Sequence, residues 1–146
     1  MLFSHEYFMK KALLQAQNAF DADEVPVGAI VVCDGQIIAK AYNQVETLQD
    51  VTAHAEILAI TAATQYLGAK YLNDCTLYIT LEPCLMCAGA LYWSQIGGIV
   101  YGASDDKRGF SVQAKKALHP KTQIVQGILE HNCAMLLSDF FRRKRI

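Results

Sequence analysis

Two short stretches hold side chains able to do chemistry. "TAHAEI" (52–57) contains His54 and Glu56, and "LEPCLMCAGAL" (81–91) contains Cys84 and Cys87 behind Pro83. Cysteines at i and i+3 of a helix face the same way, about 5–6 Å apart at Cβ, which suits two thiolates sharing one ion. Pro83 fits the start of a helix, where its missing N–H is no loss. A helix amino terminus and a divalent cation both lower thiol pKa values and so favour thiolates. Redox pairs share the C-x-x-C spacing, so these two residues alone leave both readings open.

His54 and Glu56 shift that balance. Taken singly, His54 reads as a surface or hydrogen-bonded histidine, and Glu56 as an acid favoured by a helix amino terminus. With Cys84 and Cys87, His54 makes three nitrogen and sulfur donors, a set suited to tetrahedral Zn²⁺. A catalytic zinc site leaves its fourth position to water. Cys33, Cys75, Cys133, His5, His119 and His131 are scattered along the chain and form no second pair that would close a structural site. Buried core thiols account for the three spare cysteines. Glu56 lies about 200° around a regular helix from His54, which disfavours it as a fourth ligand. Its longer side chain can instead take a proton from a water that zinc has made acidic, with a pKa of about 7.

The elements that must position these groups follow from periodicity and turn signals. Residues 4–20 carry Phe8, Ala12, Ala16, Ala19 and Phe20 at helical steps. "VGAIVVCDGQIIAKAY" (27–42) reads as two strands joined by Asp34-Gly35. Residues 53–67 read as a helix capped by Thr52 and stopped by Gly68. Strands are expected at 75–80, 98–103 and 122–125, and helices at 84–95 and 111–118. A final helix at 129–144 places Cys133, Leu136, Leu137, Phe140 and Phe141 on one stripe. This order implies an α/β layered domain with helices on both faces of a mixed five-stranded sheet. In such folds functional groups gather at the carboxyl ends of strands and the amino ends of the helices that follow, where both chemical stretches fall.

Composition narrows the classes. A chain of 146 residues, 53% hydrophobic and 18% charged, suits one globular domain over 1–146. No apolar run approaches the roughly 18 residues of a membrane span, and the amino terminus lacks a signal-peptide layout, so the expected compartment is the cytoplasm. Five cysteines without framework spacing argue against a disulfide scaffold. The net charge of −1 hides a division: residues 1–106 carry 4 basic and 12 acidic side chains, residues 107–146 carry 9 basic and 2 acidic. Such asymmetry fits a polyanionic partner, and it fits equally the preference of cations for the last turn of a helix.

"HAE" at 54–56 with "PCLMC" at 83–87 resembles the signature of the zinc-dependent nucleobase deaminases, of the cytidine/deoxycytidylate deaminase superfamily. The resemblance implies a three-layer α-β-α sandwich of the cytidine-deaminase type and one Zn²⁺ held by His54, Cys84 and Cys87. Glu56 would be the catalytic proton carrier. Within that superfamily the chain looks most like the bacterial tRNA-specific adenosine deaminases, which make inosine at the wobble position of an anticodon. The likeness covers "EVPVGAIVV" (24–32), Asn43, "TAHAEI", "TLYITLEPCLMCAGAL" (76–91), "VYGASDDKRG" (100–109) and "LLSDFFRRKR" (136–145).

By that resemblance Asn43 reads the flipped base, and the backbone N–H groups of Ala55 and Cys84 face the base and the reacting oxygen. Asp105 falls near the flanking nucleotides. The same resemblance implies that the basic helix 129–145, with Phe141, Arg142, Arg143, Lys144 and Arg145, would grip a tRNA anticodon stem-loop by neutralising phosphates and stacking. Either Phe140 or Phe141, taken singly, also reads as core. The family forms homodimers, which makes Met86, Leu91 and Trp93 interface candidates.

Three segments depart from the family pattern. Residues 44–51 are acidic where many relatives carry an arginine, 110–119 lack a common glycine–serine pair, and Tyr92-Trp93 resembles guanine-deaminase relatives. The departures leave the chemistry intact and keep open a second reading: a free base or nucleoside deaminase, for guanine or cytosine, using the same zinc site.

Overall fold

The computed structural model describes residues 3–144. Helix α1 (His5–Asp21) begins at Ser4, whose hydroxyl accepts a hydrogen bond from the Tyr7 amide. Strands β1 (Gly28–Cys33) and β2 (Gln36–Tyr42) form the expected hairpin. Asp34 and Gly35 both take positive φ, 53° and 75°. That geometry matches the right-handed twist of the strands, which is why an Asp-Gly pair is favoured there.

The chain continues through α2 (Val45–Leu48), α3 (Ala55–Leu67), β3 (Cys75–Leu81), α4 (Leu85–Ser94), β4 (Gly98–Ala103), α5 (Phe110–Gln113), β5 (Gln123–Val125) and α6 (Glu130–Lys144). The sheet order is β2-β1-β3-β4-β5. β1 is antiparallel to both neighbours, and β3, β4 and β5 run parallel. This is the mixed five-stranded sheet that the element order predicts.

Side chains alternate between two cores because successive strand residues point to opposite faces. Ala29, Val31, Leu77 and Ile79 pack with Ala55, Ala59, Ala63, Ala88 and Leu91 of α3 and α4. Ile30, Val32, Tyr78 and Val100 pack with Phe8, Met9 and Ala12 of α1 and Cys133 of α6. The sheet is therefore the middle of three layers, as the resemblance implies. α1 lies directly on β1: a Cβ on Gly28 would overlap the backbone of Ala12 and Ala16, so only glycine allows that approach.

Several boundaries differ from the sequence reading. The cap of α3 is His54, in extended conformation, not Thr52, whose hydroxyl is bound to Asp50. Cys84 is the cap of α4 and not its first residue, so Pro83 stands one place before the cap. The expected helix over 111–118 is one turn long, and α2 arises in the acidic segment 44–51, where the sequence pattern predicts no element. In α6 only Cys133 and Phe140 of the expected stripe are buried, and Phe141 is 43% exposed.

Candidate active site

His54 and Cys84 sit at the amino-terminal caps of α3 and α4, and Cys87 lies within the first turn of α4. Both helices pack on the same face of the sheet, which brings their amino ends together. The Nδ1 of His54 lies 3.7 Å from Cys84 Sγ and 3.4 Å from Cys87 Sγ. All three donor atoms fall within 4.8 Å of one another. Tetrahedral zinc, with bonds of about 2.3 Å to sulfur and about 2.1 Å to nitrogen, needs donor–donor edges of about 3.5–3.8 Å. The donor set and its spacing fit that ion. Among the described residues no fourth His, Cys, Asp or Glu joins the group.

Glu56 opens α3 two residues after His54 and is buried, 4% exposed. The 200° separation expected from helical periodicity does not apply, because His54 is the cap and lies outside the helix. Both residues line one cavity of 790 Å³ with Cys84, and Glu56 stays outside the donor triangle. Burial pushes the Glu56 carboxyl up to about 7, and negative charge on Cys84 adds to that. A carboxyl poised near neutrality can both accept and return a proton. The Cys84 thiol is drawn down to about 4, chiefly by a hydrogen bond from Cys87, with His54 assisting. The same bond and burial push Cys87 up. His54 is raised, first by its hydrogen bond with Cys84.

The remaining sequence-derived candidates divide. Asn43, buried at 8%, and Asp105 line the cavity. The Asp105 carboxylate accepts from the amides of Lys107 and Arg108 and so shapes its own loop. Ala55 is fully buried and does not line the cavity wall. Phe141, Arg142 and Arg143 also stand away from it. Arg142 pairs with Asp139 at 3.3 Å, and Arg143 lies over the Phe20 ring, 4.9 Å from its centre. From α6 it is Phe140 and Lys144 that reach the cavity, Lys144 bonded to Asp23. Arg145 lies outside the described residues.

Sequence reasoning passed over Arg108 at the cavity rim and two glutamates in its wall, Glu24 and Glu82. Each glutamate leads into or follows a buried strand, Glu24 beside Asp23 in "DEVPVG" and Glu82 between Leu81 and Pro83 in "ITLEPC". That is the available signal, since an acid inside an apolar run stays buried only with partners. Tyr92 and Trp93 do not line the cavity.

A sheet with paired helix amino termini presenting His, Cys, Cys and a buried Glu to a cavity defines a deaminase-type domain. The model of the MafB19-like deaminases matches residues 3–145. The tRNA-specific adenosine deaminase of Aquifex aeolicus is 47% identical over 145 residues, 96% of this chain and 95% of that protein. A solved structure from work on A-to-I editing by tRNA:A34 deaminases at the wobble position superposes with a TM-score of 0.83. It is 41% identical and covers 90% of this chain and 99% of its own. A guanine deaminase from Nitrosomonas europaea superposes with a TM-score of 0.82 at 26% identity, covering 96% and 86%. The chain belongs to the MafB19-like deaminases, in the branch of the tRNA-specific adenosine deaminases.

Proposed function

We propose that the protein hydrolytically deaminates the wobble adenosine of a tRNA anticodon loop to inosine. The observation that carries this reading is the His54–Cys84–Cys87 triangle beside buried Glu56 in one cavity, on a chain so similar to tRNA-specific adenosine deaminases. A Zn²⁺ ion held by those three side chains would supply the Lewis acidity that activates water near neutral pH.

Every other task falls to the chain. Asn43, an amide with both donor and acceptor, reads the edge of the flipped base. Glu56 takes the proton from the attacking water on a carboxylate oxygen, gives it to the ring nitrogen, and serves again as ammonia departs. Carbon 6 exchanges its amino group for the water oxygen, so adenine and water become hypoxanthine and ammonia. Arg108 and Lys144 at the cavity and Arg142 and Arg143 on the exposed tail face the polyanion and neutralise phosphates. No described helix is long and apolar enough to cross a membrane.

The deciding experiment incubates zinc-loaded protein with an adenosine-wobble anticodon stem-loop, and separately with guanine, cytosine and adenosine, scoring products by mass. Inosine in the stem-loop alone is the expected result. Deamination of a free base alone would transfer the site to the guanine or cytosine reading.

A homodimer belongs to the same reading. On α4, Trp93 is 75% exposed, Leu85 49% and Met86 38%, whereas Leu91 is spent in the chain's own core. An apolar face of this kind next to a site marks an interface more often than free surface. Trp93→Glu is expected to convert a dimeric mass in light scattering to a monomeric one. An unchanged mass would move the interface off α4.

A further inference from the structure

Two parts of the cavity wall are short segments with little structure of their own. One runs from Asn43 through Val45 and Glu46 into α2; the other carries Asp105, Arg108 and Gln113 and contains α5. Each helix is four residues long, well below the length at which a helix holds itself together in water. Neither has a side-chain cap at its own boundary, since Gln44 and Gly109 make no such bond.

Both helices are capped from far away in the chain by a buried carboxylate. Glu24 is 1% exposed and Glu82 3%. One oxygen of Glu24 accepts from the Glu46 amide at 3.0 Å, and the other accepts from the Thr47 amide and hydroxyl at 2.6 and 2.7 Å. Glu82 repeats the pattern. One oxygen accepts from the Asp105 amide at 3.0 Å, the other from the Ser111 amide and hydroxyl at 3.0 and 2.6 Å. Gly109 leaves room for this carboxylate, because a Cβ there would overlap the Glu82 side chain. The Phe110 amide also donates to the Pro83 carbonyl at 3.0 Å, which stitches the same loop to the turn bearing Cys84.

We propose that Glu24 and Glu82 are positioning residues that set substrate affinity, each acting as the remote cap of a one-turn helix that walls the cavity. The inference rests on the deaminase reading above. An uncapped wall samples open forms, and substrate affinity falls in proportion to the fraction of protein that remains competent. Glutamine in either place would set an amide nitrogen against N–H donors. Loss of a hydrogen bond to a charged group shifts such an equilibrium by about tenfold or more.

The test uses Glu24→Gln and Glu82→Gln in the full, zinc-loaded chain, with three readouts. Zinc content should hold. Amide hydrogen exchange, measured without substrate, should quicken about tenfold at 46–47 in the first variant and at 105 and 111 in the second. KM should rise, by up to about tenfold as the competent fraction falls, with kcat held, for whichever substrate the wild type deaminates. Should a glutamate variant fail to fold, Thr47→Val and Ser111→Ala remove one bond each and should raise KM in the same direction. Ser111→Thr, which keeps the hydroxyl, should restore it. Unchanged exchange at the named amides, loss of zinc, or a fall in kcat at constant KM would overturn the proposal. The exchange measurement needs no substrate, so an inactive stem-loop would sink the tRNA reading while leaving the caps to stand or fall separately.

Discussion

Glu56→Ala is expected to abolish deamination while leaving zinc content and the fold in place. A positioned general acid–base contributes about 10²–10⁴ to a rate, and Glu56 is asked to carry a proton in more than one step, so the fall in kcat should lie at or beyond the upper end of that range. The side chain stays outside the donor triangle, so truncation removes no ligand. It also removes a wholly buried carboxyl whose desolvation opposes the charged form, which makes the variant's melting temperature equal to or above that of the wild type. Glu56→Gln tests the same point with the cavity shape kept, since an amide cannot shuttle the proton. Substrate should still bind to both variants with KM little changed. Retention of a tenth or more of wild-type kcat would assign the proton transfer to another group. Loss of zinc from Glu56→Gln would instead make Glu56 part of the metal site.

The fold was legible in the sequence because its long elements are strongly periodic. The strand 98–103 and the stop at Gly68 are found where the residues predict them. The Asp34-Gly35 turn works because both positions adopt the positive φ that its chemistry favours. What stayed hidden depends on contacts distant in sequence. The one-turn α2 and α5 have no periodicity to read, and their donors are satisfied by Glu24, 22 residues from Glu46, and Glu82, 29 residues from Ser111. Within the site, helical spacing misplaced Glu56 relative to His54, because a cap residue does not obey the helix's angular step. On α6 the apolar stripe was visible, yet the choice between Phe140 and Phe141 turned on Phe20, whose ring meets Phe140 edge-on at 5.9 Å. The cation of α6 that reaches the cavity is Lys144, fixed by Asp23 just past the end of α1 at 2.6 Å. No local pattern links those two residues.

Cys87→Ala should strip the metal and with it the activity. The donor triangle is small, with 3.4 Å from Cys87 Sγ to the His54 ring nitrogen, and Cys87 is completely buried at its base. Alanine there leaves two protein donors, one of them the partly buried Cys84, and nearby water cannot replace a thiolate's charge. Structural zinc in zinc-finger peptides contributes about 10–16 kcal/mol of apparent free energy, and those peptides unfold without it. Here the sheet and both cores fold around the site, so part of the structure should survive the loss while the caps of α3 and α4 loosen. The variant should therefore purify with far less than one zinc per chain, melt at a lower temperature than the wild type, and gain nothing from added zinc. Cys33→Ala and Cys75→Ala provide the contrast. Those thiols face each other across β1 and β3, away from the triangle, and both variants should keep their metal. Stoichiometric zinc in Cys87→Ala would refute the ligand assignment. Equal metal loss from the Cys33 and Cys75 variants would show that the metal responds to general destabilisation and not to the missing donor.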